Sequence, residues 1–424
     1  MLTWTRERVE AVLYYSGSCV VCQGLRLFGL LVAALHVPAK EFGIYATGLM
    51  LVGLCNMLRD LGQDPALLSL PVLNHRYIRL HFLGSSILGV IGATVLVGAI
   101  WLTPWFVDLR AYLPALLVLL ILEATWHTPL IVAQRRFRFR SLAIVEIVAI
   151  SNWVFAIILF ALWRADAATL FLAASVESVS RWVGLFRVES GCVVPARIPK
   201  RVWRYFISYA KILTAQSWIQ HFSEHVDVAL MRALAGPVEL GAYARMKQIL
   251  GVTFSLSVRL VDKVASATYS AEQQSIDHLR RSTMQFLLLM LTGAAFALAG
   301  TYAFLTWFAA DYFGPQSQAQ ILQLWWWAIP FCVLRPLMWN FNLSFQSTSR
   351  PRLFLFSVLA HTLLLVGSAV LLLPLLGARG LFLALALSTA TTVLLQYSFA
   401  KEFSRRDSSR DPLMDRGEIA LNPR

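Results

Sequence analysis

EFGIYA, residues 41–46, returns as ELGAYA at residues 239–244, an offset of 198. Both copies follow a proline-containing connection, HVPAK before the first and AGPV before the second. A weaker echo pairs AQRRFRFR (133–140) with FQSTSRPR (345–352), setting Arg138 against Arg350 and Arg140 against Arg352. Its offset of 212 implies insertions between the two pairs. Self-similarity at a fixed spacing is the mark of a repeated structural unit, here about 200 residues long.

Composition says what that unit is made of. Of 424 residues 58% are hydrophobic and 14% charged, whereas soluble domains carry about 25% charged residues. The chain therefore reads as a polytopic membrane protein. A spanning helix needs about 20 apolar residues, and twelve stretches qualify: near 11–37, 42–63, 78–102, 112–133, 141–163, 167–186, 204–232, 238–262, 282–309, 319–345, 353–375 and 380–402. Each copy of the motif opens an even-numbered span. The expected fold is all-α, with about 12 transmembrane helices as two six-helix pseudo-repeats around a central cavity. Six spans per repeat is even, so the repeats are related by an axis along the membrane normal. The expected divisions are 1–200, 201–403 and a polar, disordered cytoplasmic tail, 404–424.

Basic residues set the orientation. If the N-terminus is cytoplasmic, 26 of the 37 Lys and Arg fall on the cytoplasmic side, five on the other and six inside spans. That bias puts both termini in the cytoplasm. QRRFRFR (134–140) then lies in the turn between spans four and five, its arginines on the anionic leaflet and its phenylalanines in the interface. This accounts for the net charge of +14 without nucleic acid, for which a seven-residue tethered turn offers no docking surface. The first span reads as a retained signal anchor, since MLTWTRERVEAVLYY lacks the order of a cleaved signal peptide.

Enzyme signatures are missing: no G-x-x-x-x-G-K-[ST] loop, no H-E-x-x-H, and no external loop long enough for a catalytic domain. Cys19 and Cys22 have metal-site spacing but sit inside span one with no second pair, so they read as small apolar side chains. The chain is expected to be neither an enzyme nor a holder of metal or cofactor.

EFGIYA after span one, QRRFRFRSLAIVEI across the span 4–5 turn, and DVALMRALAGPVELGAYA (227–244) together resemble the oligosaccharide flippases of bacterial polysaccharide biosynthesis. That family shares a superfamily with the MATE-type drug exporters and the peptidoglycan-precursor flippase. The resemblance covers residues 11 to 403. It implies a monomeric bacterial inner-membrane protein that moves polyprenyl-pyrophosphate-linked oligosaccharide outward, among membrane lipid and other polysaccharide-assembly proteins. An ion-coupled exporter of small molecules is the alternative; it calls for a cavity of unpaired carboxylates and aromatics.

Charge inside a membrane is costly and should face a cavity or a partner. Arg26, Arg335, Arg245, Lys247 and Arg259 are the candidates for binding an anionic substrate, since guanidinium forks two donors onto phosphate oxygens. Arg245 and Lys247 point to opposite helix faces, so one of them lines a lumen; Arg259 shares the face of Arg245. Helix–helix pairing or snorkelling is the competing account, above all for Lys211 and Arg259. Arg135, Arg136, Arg138 and Arg140 lie where an incoming pyrophosphate headgroup meets the protein. Among acids, Glu123 suits a coupling proton or pairing with His127, and Glu177 suits pairing with Arg181. The offset of 198 sets Glu224 opposite Arg26 as a gating pair. Asp227 either pins the loop ahead of ELGAYA or takes part in coupling.

Overall fold

The computed structural model describes residues 6–61, 63–64, 67, 75–136, 138–192, 214, 218–219, 221–272, 276–307, 315–347 and 351–408. Every regular element among them is helical. The long helices are α1 (Arg6–His36), α2 (Ala39–Asp60), α3 (His75–Leu102), α4 (Leu113–Arg135), α5 (Phe139–Trp163) and α6 (Ala167–Val188). They continue with a helical stretch over 221–234, here α7. The rest are α8 (Gly236–Glu272), α9 (Ile276–Trp307), α10 (Pro315–Ser347), α11 (Pro351–Leu376) and α12 (Ala378–Ser408). α12 runs five residues past the expected boundary at 403; residues 409–424 and Lys211 lie outside the described residues.

Among the described residues nine helices are long and apolar enough to cross a membrane. The three others, α6, α7 and α8, carry Glu177 and Arg181, Glu224 and Asp227, and Arg245, Lys247 and Arg259. The ionisable groups of α6 and α8 lower the hydropathy of those segments, and α7 is described over 221–234 alone. Such groups are also the ones that a helix in lipid must turn toward protein or a cavity. Lipid-exposed positions are instead apolar: Phe155, Leu162, Phe296 and Leu371 are all more than half exposed.

The pattern of helix neighbours is the same twice over. α2 packs on α3, α4 and α6; α4 packs on α3, α5 and α6; α5 packs on α6. α8 packs likewise on α9, α10 and α12; α10 on α9, α11 and α12; α11 on α12. Each contact in α2–α6 thus has its counterpart six helices later. The two sets meet where α8 packs against α1 and α2.

At that seam the repeated motif explains itself residue by residue. Gly43 and Gly241 bring backbones together: a Cβ on Gly43 would lie 2.2 Å from the Pro237 carbonyl oxygen, and one on Gly241 1.7 Å from that of Ala39. Ala39 and Pro237 are themselves 198 residues apart, so the contact is reciprocal. Tyr45 is 7% exposed and packs on Phe171 of α6, with ring centroids at 5.1 Å. Tyr243 is fully buried and packs on Phe382 of α12 at 5.2 Å. Glu41 accepts the backbone N–H of Ala167, the first residue of α6, at 3.1 Å, where a carboxylate complements the positive end of the helix dipole. The Glu239 carboxylate lies beside Gly377, one residue before α12. In each copy glutamate lies at the start of the sixth helix, glycine makes the seam, and tyrosine fills the core against the sixth helix.

Candidate functional site

A cavity of about 390 Å³ opens within the second set of helices. α7 supplies Glu224 and Asp227, α8 supplies Tyr243 and Lys247, and α10 supplies Arg335. Asp227 is 3% exposed yet fully engaged. Its Oδ2 accepts the Lys247 ammonium at 2.6 Å and the Tyr243 hydroxyl, and its Oδ1 accepts the Val228 N–H at 2.8 Å. A buried carboxylate survives in that form because charge and lone pairs are both met. Lys247 also donates to the Glu224 carbonyl oxygen at 3.1 Å, while the Glu224 side chain is exposed.

Arg335 differs from Lys247. Its guanidinium lies 4.5 Å from the ring of Phe254 and 5.3 Å from that of Phe331. Among the described residues it makes no ion pair. Phenyl faces hold a guanidinium through the ring quadrupole and leave its N–H donors free.

The remaining candidates lie elsewhere. Arg245 is outside the cavity, at the seam, where it donates to the Val37 carbonyl oxygen and lies 4.6 Å from the ring of Phe42. The side chain of Arg259 lies outside the described residues. Arg26 pairs with Glu177 at 2.6 Å and not with Glu224. Glu177 also receives Arg181 at 2.9 Å, and Arg181 in turn holds Glu146 at 2.8 Å. Arg26 is thus committed to a four-membered network on α1, α5 and α6. Arg181 sits inside α6 at 15% side-chain exposure. Removing one partner from a buried pair costs about 3–5 kcal/mol. Arg181→Met is therefore expected to lower the melting temperature more than Arg26→Met, because Arg26 is 37% exposed; thermal unfolding in detergent checks the order.

The basic run is engaged by its own chain. Arg135 donates to the Leu67 carbonyl oxygen at 2.9 Å, and Arg136 pairs with Glu189 at 2.7 Å. Arg138 donates to the Val188 carbonyl oxygen at 2.6 Å, and Arg140 lies 5.6 Å from the ring of Tyr14. The run thereby ties the α4–α5 turn to the ends of α1 and α6, a role its sequence spacing did not disclose.

Glu123 accepts the Asn56 amide and not His127. His127 meets Asp64 instead, at 3.0 Å, alongside His81 at 2.9 Å and Arg59 at 3.2 Å. Burial raises the Asp64 carboxyl, but the Arg59 guanidinium and the two imidazoles outweigh it and hold that carboxyl well below the usual carboxylate range. A depressed carboxyl stabilises the fold above its ordinary pKa, and that stability is lost as pH falls through the lower, folded value. Asp64→Asn should therefore destabilise the chain by about 3–5 kcal/mol at pH 7. That penalty should persist down to about pH 5 and shrink only below about pH 4, as melting curves of both proteins across pH will show.

Sequence reading overlooked Tyr243, Trp339, Asn342 and His361, which all line the cavity. Tyr243 stood in the repeated motif, but the others lie in apolar runs where periodicity gives no sign of a lumen.

Compared with known proteins, residues 34–316 match the family model described as "Polysaccharide biosynthesis protein". No curated protein matches the chain by sequence. Among solved structures, the lipid II flippase MurJ in an inward closed conformation superposes with a TM-score of 0.73 at 10% identity, covering 92% of this chain and 87% of that one. An outward-facing multidrug resistance MATE transporter of the MOP superfamily gives 0.64 at 13% identity, over 95% and 97% of the two chains. A MOP superfamily transporter from Pyrococcus furiosus gives 0.61 at 14%, again over 95% and 97%. With two thirds of its length on the family model, the chain belongs to the polysaccharide biosynthesis protein family and has the fold shared by MATE transporters and MurJ.

Proposed function

We propose that this chain is a flippase that moves a polyprenyl-pyrophosphate-linked oligosaccharide from the cytoplasmic to the outer leaflet for surface polysaccharide biosynthesis. It works as a twelve-span monomer of the bacterial inner membrane with both ends in the cytoplasm, beside other polysaccharide-assembly proteins and with no cofactor. Residues 1–200 and 201–403 rock against each other at the Gly43–Gly241 seam, in alternating access, while the polyprenyl tail stays in lipid. Family membership and the recurring neighbour pattern support this reading.

The observation that carries it is Arg335. A guanidinium on a cavity wall, flanked by two phenyl rings and without a carboxylate among the described residues, is built to receive an anion. Guanidinium matches phosphate oxygens by its planar fork. Asp227 and Glu224 line the same cavity and favour a second reading, an ion-coupled exporter of small molecules. Lys247 neutralises Asp227, however, and Arg335 adds a second cation to the same wall.

The test is to delete the gene and ask which leaflet holds the lipid-linked oligosaccharide, by its accessibility to a glycan hydrolase in spheroplasts and inverted vesicles. Accumulation on the cytoplasmic face, relieved by the wild-type gene, is the expected result. A normal outward distribution with intact surface polysaccharide overturns the flippase and brings small-molecule export forward.

A further inference from the structure

The chain around α7 reaches across to the first set of helices at both of its ends. In the last turn of α7, Arg232 donates to the Asp108 carboxylate at 2.9 Å and to the Trp105 carbonyl oxygen at 3.1 Å. Both acceptors belong to the short 3-10 helix Pro104–Tyr112 that joins α3 to α4. Ahead of α7, the Trp218 indole N–H donates to the Met57 carbonyl oxygen at 3.1 Å, and the Thr214 hydroxyl to that of Leu61 at 2.6 Å. Met57 stands in the last turn of α2 and Leu61 caps it, where a helix leaves its carbonyls short of donors. Between the two ends α7 touches α2 directly: a Cβ on Gly53 would lie 2.3 Å from the His225 Nε2.

These bonds differ from those that hold each set together. The repeat does not generate them, because the positions equivalent to Arg232 and Trp218 at the offset of 198 are Ala34 and Val20. They also lie at opposite ends of the molecule. In the proposed orientation Asp108 is on the outer side, while Met57 and Leu61 are on the cytoplasmic side. A rocking motion that parts one end stretches one pair of bonds and spares the other. Breaking the outer pair is affordable. Asp108 is 43% exposed, and a hydrogen bond near water contributes little net because both groups rehydrate.

We infer that the two ends of this segment carry opposing latches. Arg232 on Asp108 and Trp105 holds the outer side shut, and Trp218 and Thr214 on the end of α2 hold the cytoplasmic side shut. Export breaks the outer latch while the inner one holds, and the return step reverses the order. The inference rests on the alternating-access reading and holds for whichever substrate the cavity carries.

The experiment measures spin-label distances in the full chain in lipid nanodiscs, in a background without native cysteines. Labels at Leu162 and Trp307, both exposed, report the outer side; labels at Arg187 and Arg281, also exposed, report the cytoplasmic side. Arg232→Ala should raise the population with long outer distances about tenfold and leave the inner distances unchanged. Trp218→Phe combined with Thr214→Val should do the opposite. Exchanging the charges, Arg232→Asp with Asp108→Arg, should return the outer distances toward those of wild type. A purely structural role would lower the melting temperature of each variant without moving one side alone. If either variant lengthens both distances, or neither, the latches are overturned. Deletion of the gene separates this outcome from the flippase reading. Trapped lipid-linked oligosaccharide with unmoved distances leaves the flippase standing without latches; a normal leaflet distribution with the expected shifts leaves the latches standing without the flippase. Should Arg232→Ala fail to fold, Asp108→Asn carries the outer arm, and Trp218→Phe alone can carry the inner one.

Discussion

Gly241→Ala is expected to force the two sets of helices apart at their seam and to stop transport. The added Cβ would lie 1.7 Å from the Ala39 carbonyl oxygen. The obstructing atom is backbone, and the other side of the contact is backbone too, so no side chain can swing away. Overpacking of a well-packed interior costs about 1–3 kcal/mol. At 1.36 kcal/mol per factor of ten, the closed seam would lose about 5- to 150-fold in population, with the short approach favouring the upper end. Gly43→Ala should act in the same direction but less strongly, since its Cβ would stand 2.2 Å from the Pro237 oxygen. Spin labels at Lys40 and Val238, both exposed beside the seam, report the separation directly. Distances should lengthen in Gly241→Ala, and surface polysaccharide should disappear. An unchanged distance distribution with normal export would contradict the seam's role.

Arg335→Ala should abolish binding of the anionic headgroup while leaving the fold intact. A hydrogen bond to a charged group contributes about 1.5–3 kcal/mol. Losing two from a forked guanidinium therefore weakens binding by more than about 100-fold. The flanking Phe254 and Phe331 lose a cation contact of about 0.5–2 kcal/mol. No carboxylate among the described residues is stranded, so the melting temperature should change little. Arg335→Lys keeps the charge without the fork and should retain an intermediate affinity, as binding of a polyprenyl pyrophosphate probe will show. The comparison with Arg26→Ala is the sharper control. Both arginines looked alike as intramembrane cations, but Arg26 holds Glu177. Its loss should appear in stability before it appears in binding.

The sequence disclosed the fold well, because lipid imposes a simple rule: long apolar runs become helices, and polar residues turn inward. The spans near 42–63 and 141–163 are observed as Ala39–Asp60 and Phe139–Trp163, a difference of at most three residues at any end. The motif at 41–46 and 239–244 was visible as a repeat, yet its purpose was not. Only the folded chain shows that Gly43 and Gly241 touch each other's connections and that the tyrosines meet Phe171 and Phe382.

The site was legible only in part. Counting charges selected Arg335, Lys247, Glu224 and Asp227, which do line the cavity. The same reading also put forward Arg26 and Arg245 for the cavity and Arg136 for headgroup entry, and these are bound by Glu177, the Val37 carbonyl and Glu189. Partner choice depends on which helices lie side by side, and local spacing fixes only neighbours one turn apart. So Arg181 with Glu177 could be read from the sequence, whereas His127 with Asp64, 63 positions apart, could not.

The reciprocal glycine contact makes the seam symmetric. A self-complementary seam is the kind that two identical copies form across a two-fold axis, and the backbone approaches of Gly43 to Pro237 and Gly241 to Ala39 have that symmetry. The side chains around them do not. The position equivalent to Asp227 in the first set is Gly29, and that equivalent to Lys247 is Leu49. One copy turned its charges to a cavity and the other spent them on its own cohesion.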